Sequence, residues 1–158
     1  MTPEQVVRHL RRAHAVAQVA VARGRHPFGA VLVAPDHETV LLEQANVDIV
    51  NHAEAVLARV AAHRFEASYL WDCTLVTTVE PCAMCAGTQY WAHIGRLVFG
   101  LSERQLLAIT GNHEENPTLD LPCREVFARG QKRIEVIGPV AQVQAQITEL
   151  HRSFWPQR

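Results

Sequence analysis

Two short motifs concentrate the residue types that bind metals and transfer protons. His52-Ala53-Glu54 contributes an imidazole and a carboxylate, and Pro81-Cys82-Ala83-Met84-Cys85 contributes two thiols. Cysteines three positions apart at a helix start lie on one face, where the helix N-terminus favours their thiolate forms. A set of three ligands, here His52, Cys82 and Cys85, with a fourth position open to water is typical of a catalytic zinc (Zn2+) site.

The same cysteines have two other interpretations, a closed four-ligand zinc site and two buried thiols without metal. Cys73 does not fit as a fourth ligand, because an extended segment from Cys73 to Cys82 at about 3.3 Å per residue separates the two cysteines by roughly 30 Å. Cys123 follows a long loop and stays open as a fourth ligand.

Glu54 is the candidate proton carrier of this site. Two thiolates and one neutral imidazole leave a zinc centre neutral, which lowers the pKa of bound water and supplies hydroxide near neutral pH. We expect Glu54, two residues after His52, to lie close to this centre without binding the metal. It can then take the water proton and pass it to a bound substrate.

The paired motifs are the signature of zinc-dependent base deaminases, and the chain resembles the cytidine deaminase superfamily over most of its length. The segments His26-Pro27-Phe28-Gly29-Ala30-Val31 and Tyr90-Trp91-Ala92 look like those of the bacterial guanine deaminase and nucleobase deaminase branch. This resemblance implies a homodimeric zinc hydrolase that acts on a nucleobase.

Three further residues are candidate substrate contacts. Asn46 matches the position where the family uses an asparagine to bind the base or the sugar, and a turn-forming residue with an exposed amide is the alternative. Phe28 either stacks on a flat ring or packs in the core. Trp91 matches an aromatic residue of guanine deaminases, with packing in a dimer or in the core as the alternative.

A carboxylate can recognise guanine, because the N1–H and N2–H donors of guanine lie side by side. Glu80, next to Pro81, is the best-placed candidate. The acids of the loop over residues 110–121 are alternatives, although charged loop residues are usually exposed to solvent. These loop acids are Glu114, Glu115 and Asp120. Guanine deaminases carry in their C-terminal segment an acidic residue that reaches the site. The C-terminal segment of this chain differs, because Glu149 is its last acidic side chain.

Hydrophobic periodicity predicts the elements that position these residues. We expect helices over residues 2–24, 52–63, 82–94, 102–109, 122–129 and 140–155, and strands over 28–34, 39–46, 73–79, 96–101 and 133–137. This order predicts an α/β fold, a three-layer α/β/α sandwich with a five-stranded mixed sheet and one antiparallel hairpin, as in cytidine-deaminase-like proteins.

The last two predicted strands should be parallel, because about thirty residues with two helices connect them, whereas a hairpin needs only a few. Within the superfamily this parallel arrangement is similar to that of guanine, fungal cytosine and tRNA adenosine deaminases. Free cytidine deaminases resemble it less.

Length and composition predict a single domain over residues 1–158, and the two motifs predict that it is a zinc-dependent deaminase domain. The chain has 158 residues, 48% of them hydrophobic and 20% charged, and needs no disulfides to bury a core. No secretory segment and no apolar run of about 18 residues is present, which predicts a cytoplasmic protein without membrane contact and with reduced thiols. The net charge of -1 argues against a nucleic-acid partner without excluding one.

These features favour hydrolytic deamination of a free nucleobase or related aminoheterocycle, with guanine preferred. The alternatives are deamination of adenosine flipped out of tRNA, which the basic runs Arg8-Arg11-Arg12 and Arg23-Arg25 keep open, and deamination of cytosine or a nucleoside. A non-catalytic zinc-stabilised module is a further hypothesis. Glu54 argues against it, because a structural zinc site has no need of a nonligating carboxylate.

Overall fold

The computed structural model describes residues 1–155, so residues 156–158 of the predicted domain lie outside the described part. Seven helices and five strands follow one another along these residues. In chain order they are α1 (Pro3–Ala22), β1 (Gly29–Val33), β2 (Val40–Ala45), α2 (Ala53–Arg64), α3 (Ala67–Asp72), β3 (Thr74–Val79), α4 (Ala83–Trp91), β4 (Arg96–Leu101), α5 (Glu103–Thr110), α6 (Cys123–Ala128), β5 (Glu135–Ile137) and α7 (Ala141–Phe154).

The strands form one sheet in the order β2-β1-β3-β4-β5. β1 pairs antiparallel with both β2 and β3, whereas β3 and β4, and β4 and β5, are parallel. The predicted mixed sheet, its hairpin and the parallel last pair are therefore confirmed.

Alternate side chains of each central strand enter different cores, because successive residues of a strand point to opposite faces. Leu32, Leu75 and Phe99 belong to a core cluster shared with helices α2, α3, α4 and α6. Val31, Val76 and Val98 belong to a second cluster shared with helices α1, α5 and α7. The sheet thus lies between two helical layers, which confirms the three-layer sandwich.

The ends of α1 follow its sequence signals. The Thr2 hydroxyl and the Gln5 side chain form a reciprocal capping box around Pro3, as expected for this helix start. The helix ends at Ala22, and Gly24 then adopts a positive φ of 70°, which a residue without a Cβ adopts at little cost. None of the described helices has both the length and the apolar character needed to cross a membrane.

Three local features differ from the predictions. The short helix α3 was not predicted, since its six residues bury only Leu70 and give no periodic pattern. Helix α4 ends at Trp91, three residues early, where His93 takes a positive φ of 61° and the Gln89 amide donates to the carbonyls of Ile94 and Arg96. Strand β5 covers only Glu135–Ile137, because its pairing with β4 is limited to three residues.

Candidate active site

Two helix N-termini bring the predicted ligands together. His52 is the N-cap residue of α2, and Cys82 is the N-cap residue of α4 directly after the β3–Glu80–Pro81 segment. Neither side chain caps its own helix, so both are available to a ligand. Cys85 lies in the first turn of α4 and is fully buried.

The three ligand atoms have the separations of a zinc site. The Nδ1 atom of His52 lies 3.7 Å from the Cys82 sulfur and 3.5 Å from the Cys85 sulfur. A tetrahedral zinc ion with Zn–N of about 2.05 Å and Zn–S of about 2.3 Å separates these ligand types by about 3.6 Å. The residues present therefore fit zinc.

The other two cysteines do not join this group. In the part of the chain that the structure describes, His52, Cys82 and Cys85 form the group of possible ligands whose donor atoms all lie within 4.8 Å of one another. Cys73 and Cys123 are buried elsewhere, and burial raises the pKa of both thiols. The described residues thus supply three ligands, and Cys123 does not provide a fourth.

Hydrogen bonds orient the imidazole of His52 toward the sulfurs. Its Nε2 atom lies 3.0 Å from the carbonyl oxygen of Ile49, so Nε2 carries the proton and Nδ1 presents its lone pair to the metal position. The preceding turn is fixed by Asp48, whose carboxylate accepts from the backbone of Val50 and from Asn51. The Asn51 side chain is the main cause that lowers the pKa of Asp48 to about 2.

The cysteine pair contains a ready thiolate. Hydrogen bonding with Cys85, followed by that with His52, lowers the pKa of Cys82 to about 4 despite its partial burial. The same pairing raises the pKa of Cys85. Zinc binding requires deprotonated sulfur, so one of the two ligands is already in its binding form at neutral pH.

Glu54 lies beside this group and is almost fully buried. Its Oε1 atom accepts a hydrogen bond of 2.8 Å from the Thr77 hydroxyl, and its Oε2 atom lies 3.7 Å from the Cys85 sulfur. Thr77 reaches α2 because it faces the same side of the sheet as Leu75. Burial raises the pKa of Glu54, which suits a carboxyl group that must hold and release a proton.

Asn46 presents a buried acceptor. Its side chain donates from Nδ2 to the Asp48 carbonyl at 3.1 Å, whereas Oδ1 is buried without a hydrogen-bond partner among the described residues. The Asn46 backbone N–H donates to the carbonyl of Phe28 at 3.0 Å. The amide is therefore enclosed, in contrast to the alternative of an exposed turn residue.

Phe28 lies parallel to the metal-binding imidazole. The rings of Phe28 and His52 differ by 11° in orientation, and their centroids are 6.5 Å apart. His151 meets Phe28 in a T-shaped contact at 5.1 Å, and Trp155 lies 6.3 Å away. Phe28 thus forms a rigid aromatic wall opposite His52.

Glu80 is held by two backbone groups. One carboxyl oxygen accepts from the N–H of Glu103 at 3.1 Å, and the other accepts from the N–H of Cys123 at 2.9 Å. The side chain therefore links the end of β3 to the starts of α5 and α6. This geometry favours a structural role for Glu80 over the predicted contact with substrate.

Two of the three loop acids also contact basic side chains. Glu115 lies 3.2 Å from the His26 imidazole, and Asp120 accepts from Arg104 at 2.9 Å. Glu114 is exposed to solvent, as expected for a charged residue in a loop. The His26 contact brings the loop over residues 110–121 against the segment that leads into β1.

Trp91 does not reach the site within one chain. It lies nine residues after Cys82 in α4, about 13 Å along a helix that rises 1.5 Å per residue. Its side chain is 77% exposed and contacts only Tyr90 and Lys132 among the aromatic and cationic pairs of the described residues. The structure therefore separates Trp91 from the other predicted substrate contacts.

An aromatic cluster behind Phe28 was not predicted. Trp155 is buried and packs against four rings from three parts of the chain, which are His26, His113, and the α7 residues His151 and Phe154. The sequence signal available for it was the pair Phe154-Trp155 at the end of a helical pattern with His151 one turn earlier. The C-terminal end of the last helix thus supplies aromatic rings near Phe28 and no carboxylate.

The sequence comparisons agree with this geometry. Residues 3–101 match the sequence profile described as the cytidine and deoxycytidylate deaminase zinc-binding region. This match covers the three candidate ligands and Glu54. The chain belongs to this deaminase family. Its zinc-dependent hydrolytic chemistry, which the sequence predicted, is that of the family.

Relatives with different substrates match different shares of the chain. A Schizosaccharomyces pombe protein named "Probable cytosine deaminase" is 35% identical over 157 residues, 96% of this chain and 93% of that protein. The Bacillus subtilis guanine deaminase is 42% identical over 88 residues, 52% of this chain and 56% of its own length. The Haemophilus influenzae tRNA-specific adenosine deaminase is 40% identical over 105 residues, 63% of this chain and 60% of its own length.

A solved structure confirms the fold. The guanine deaminase from Nitrosomonas europaea superposes with a TM-score of 0.70 at 20% identity, covering 94% of this chain and 83% of that one. At this identity the similarity concerns the arrangement of helices and strands.

Proposed function

We propose that residues 1–158 form a single zinc-dependent deaminase domain that hydrolyses the amino group of a free nucleobase or related aminoheterocycle and releases ammonia. The observation that carries this proposal is the placement of Glu54, a buried carboxyl group 3.7 Å from the sulfur of Cys85. A purely structural metal site has no use for such a group, because burying it costs free energy.

Each residue of the site has a definite task in this reaction. His52, Cys82 and Cys85 hold the metal, and the Ile49 carbonyl keeps the proton of His52 on Nε2. Zinc bound at such a site lowers the pKa of water and supplies the nucleophile. Glu54 accepts the first proton of the attacking water and delivers it to the ring nitrogen next to the attacked carbon. It then accepts the remaining proton of the added hydroxyl group and passes it to the departing amino group, which leaves as ammonia. The Thr77 hydroxyl holds the carboxyl group of Glu54 in place for these transfers.

The spacing of Phe28 and His52 suits a flat ring. Bases in a duplex stack about 3.4 Å apart, so a base between two parallel rings needs about 6.8 Å. The observed centroid separation is 6.5 Å. We therefore propose that the base lies in a slot with Phe28 and His52 as its walls, and that Asn46 Oδ1 accepts a hydrogen bond from its edge.

Guanine and cytosine are the two bases that the comparisons support. Guanine, the base favoured by the sequence, is supported by the 42% identity to the Bacillus guanine deaminase over half of the chain. Cytosine is supported by the fission-yeast relative, whose similarity extends over 96% of the chain. The engagement of Glu80 with backbone N–H groups removes one argument for guanine.

Transfer-RNA adenosine is the second candidate substrate class, because the Haemophilus enzyme is 40% identical over 63% of the chain. The chain has fifteen Lys and Arg residues against sixteen Asp and Glu residues, which does not provide the positive field that polynucleotide binding requires. We therefore place the free base first.

The homodimer implied by the family resemblance has a suitable surface on α2 and α4. An apolar groove of about 500 Å³ lies there, lined in part by Ala58, Ala62, Met84 and Trp91. The exposed Trp91 is an aromatic anchor typical of interface centres. Light scattering should show a dimer for the wild-type protein and a monomer for Trp91→Glu. An unchanged mass for this variant would assign the dimer to another surface.

An ammonia-release screen tests the reaction itself. Zinc-loaded protein is incubated with guanine, cytosine, adenine, their nucleosides, aminotriazines and a tRNA anticodon stem-loop at about 0.1 M salt, since lower salt exaggerates nonspecific RNA binding. We expect kcat/KM to be highest for a free base. Ammonia release from none of these compounds would reject the proposed function, and a preference for the stem-loop would replace the free base by tRNA.

A further inference from the structure

Glu103 carries a buried carboxyl group that the fold does not explain. The residue is 8% exposed, and among the described residues its carboxyl oxygens have no hydrogen-bond or ion-pair partner. Helix α5 does not need it as a cap, because Ser102 and Gln105 already form a complete capping box. The carboxyl oxygens are not among the fully enclosed side-chain atoms without a partner, so they keep access to solvent and to a bound ligand.

The hydrogen bonds of the backbone place Glu103 beside the metal-binding residues. The Glu80 N–H donates to the Leu101 carbonyl at 2.8 Å, and the Glu103 N–H donates to the Glu80 carboxylate at 3.1 Å. Glu80 is followed directly by Pro81 and Cys82. Glu103 therefore lies at the carboxyl end of the parallel pair β3 and β4, the edge where ligands bind in sheets of this type.

The electrostatic surroundings of Glu103 also belong to the site. Burial, followed by the charges of Cys82, Glu54 and Glu80, raises the pKa of Glu103 to about 8, while His52 acts in the opposite direction. The charge of a ligand bound at the site therefore also acts on the carboxyl group of Glu103.

We propose that Glu103 is a specificity-determining residue whose carboxyl group binds an N–H donor of the substrate other than the amino group that is lost. This inference rests on the proposed function and names the substrate class more closely. At least one carboxyl oxygen accepts in either protonation state, and Asn46 Oδ1 is a second buried acceptor without a partner among the described residues. The two acceptors together match a heterocycle that brings additional N–H groups into the site.

Free bases meet this requirement better than nucleosides. Guanine and cytosine each carry an N–H at the ring nitrogen that bears the sugar in a nucleoside, and this donor disappears when the sugar is attached. A site that hydrogen-bonds a substrate N–H rejects analogues without it, because its own buried polar group is then left unpaired. Glu103 thereby selects the free base.

A double-mutant cycle between protein and substrate tests the proposal. The kcat/KM values of guanine and 9-methylguanine, and of cytosine and 1-methylcytosine, are measured for zinc-loaded wild type, Glu103→Ala and the control Glu4→Ala. Glu4 is an exposed acid in the first turn of α1, as Glu103 is a buried one in the first turn of α5. For the base that the wild type deaminates faster, we expect a preference over its methyl derivative of about tenfold or more.

In Glu103→Ala this preference should fall below about threefold, because the parent base loses its hydrogen bond while the methyl derivative loses none. Glu4→Ala should keep the wild-type preference. An unchanged preference in Glu103→Ala overturns the proposal and leaves the proposed function standing. Absence of ammonia release by the wild type from every base rejects the proposed function and this inference with it.

Melting temperature and zinc content separate this role from a structural one. Glu103→Ala and Glu103→Gln should bind one zinc per chain and melt at or above the wild-type temperature, since neither substitution removes a side-chain hydrogen bond or ion pair of the described residues. A lower melting temperature with loss of zinc in both variants would make Glu103 a structural residue and overturn the proposal.

Discussion

The indole N–H of Trp155 donates a hydrogen bond of 3.0 Å to Nδ1 of His151, one turn earlier along α7. Both side chains are buried, and burial lowers the pKa of His151 to about 3. The His151 ring is therefore neutral at physiological pH and carries its proton on Nε2. Because His151 also contacts Phe28, this pair connects the end of the last helix to the aromatic wall of the proposed base slot.

His151 should make stability depend on pH. Its folded pKa of about 3 lies below the unfolded value of 6.5, so its contribution is complete above pH 6.5 and is lost as the pH falls toward 3. At pH 5 the loss is about 2 kcal/mol. The free energies of unfolding of wild type and His151→Phe are measured by urea denaturation at pH 7.5 and pH 5. Relative to wild type, the variant should be more stable at pH 5 than at pH 7.5 by this amount.

Any stability that is lost because zinc is released at low pH is lost equally by wild type and His151→Phe. It therefore cancels in the difference between them. The exposed His63→Gln variant is the matched control and should keep the wild-type profile. A difference between wild type and His151→Phe that does not change with pH would show that His151 is not held neutral by burial.

Removal of either cysteine ligand should abolish stoichiometric zinc binding. Cys82→Ala and Cys85→Ala leave only two of the three ligands, whereas the control Cys73→Ala removes a buried thiol outside the group. Metal analysis after dialysis should give one zinc per chain for wild type and Cys73→Ala only. One zinc per chain in both ligand variants would contradict the assigned site.

Glu54→Gln should keep zinc and fold but lose most activity. The amide preserves the shape and the Thr77 contact but cannot carry the proton, and acid–base groups contribute ~10²–10⁴-fold to the rate. The turnover number for the best base is compared with that of Glu66→Gln, an exposed acid at the start of α3. A loss below about tenfold would argue against the proton-transfer role.

Phe28→Leu should weaken substrate binding more than turnover. Stacking of a base on an aromatic ring contributes about 1–3 kcal/mol, so KM should rise about 5- to 150-fold while kcat changes little. Phe65→Leu is the control, because Phe65 packs against the cluster on the other face of the sheet. If KM stays at the wild-type value in Phe28→Leu, the slot between Phe28 and His52 does not hold the base.

Glu80→Gln tests whether this residue supports the fold or contacts the substrate. The amide retains one acceptor oxygen, so one of two backbone N–H groups is left unpaired at a cost of about 1–3 kcal/mol. Denaturation should show this loss, while the exposed control Glu149→Gln stays within about 0.5 kcal/mol of wild type. Unchanged stability with a raised KM would restore Glu80 as a substrate contact.

The metal group was predictable from the sequence because its chemistry is local. Cys82 and Cys85 lie on one helical turn, and His52 and Glu54 are separated by a single residue, so short-range geometry already aligns each pair. The length of a connection likewise determines whether two strands can be parallel, which is why the pairing of β4 and β5 was predicted.

The contacts of Glu80, Trp91 and Glu103 depended on tertiary structure. A residue type and its neighbours in sequence show that a carboxylate is near a metal site but not which backbone N–H groups reach it. The Glu80 carboxylate accepts from donors 23 and 43 residues away, whereas the carboxylate of Glu103, the same residue type, has no partner among the described residues. Trp91 shares a helix with the ligands, and only the helical rise separates it from them.

The sequence by itself predicted the ligand set, the candidate proton carrier and the layered α/β fold, since these follow from residue type, spacing and hydrophobic period. Only the tertiary structure decided which buried polar groups are free to bind a substrate. Asn46 and Glu103 differ from Glu80 in their partners, and partners are set by elements that folding brings together from distant parts of the chain. The physical reason is that a buried donor or acceptor is defined by what lies within about 3 Å of it, which no local pattern specifies.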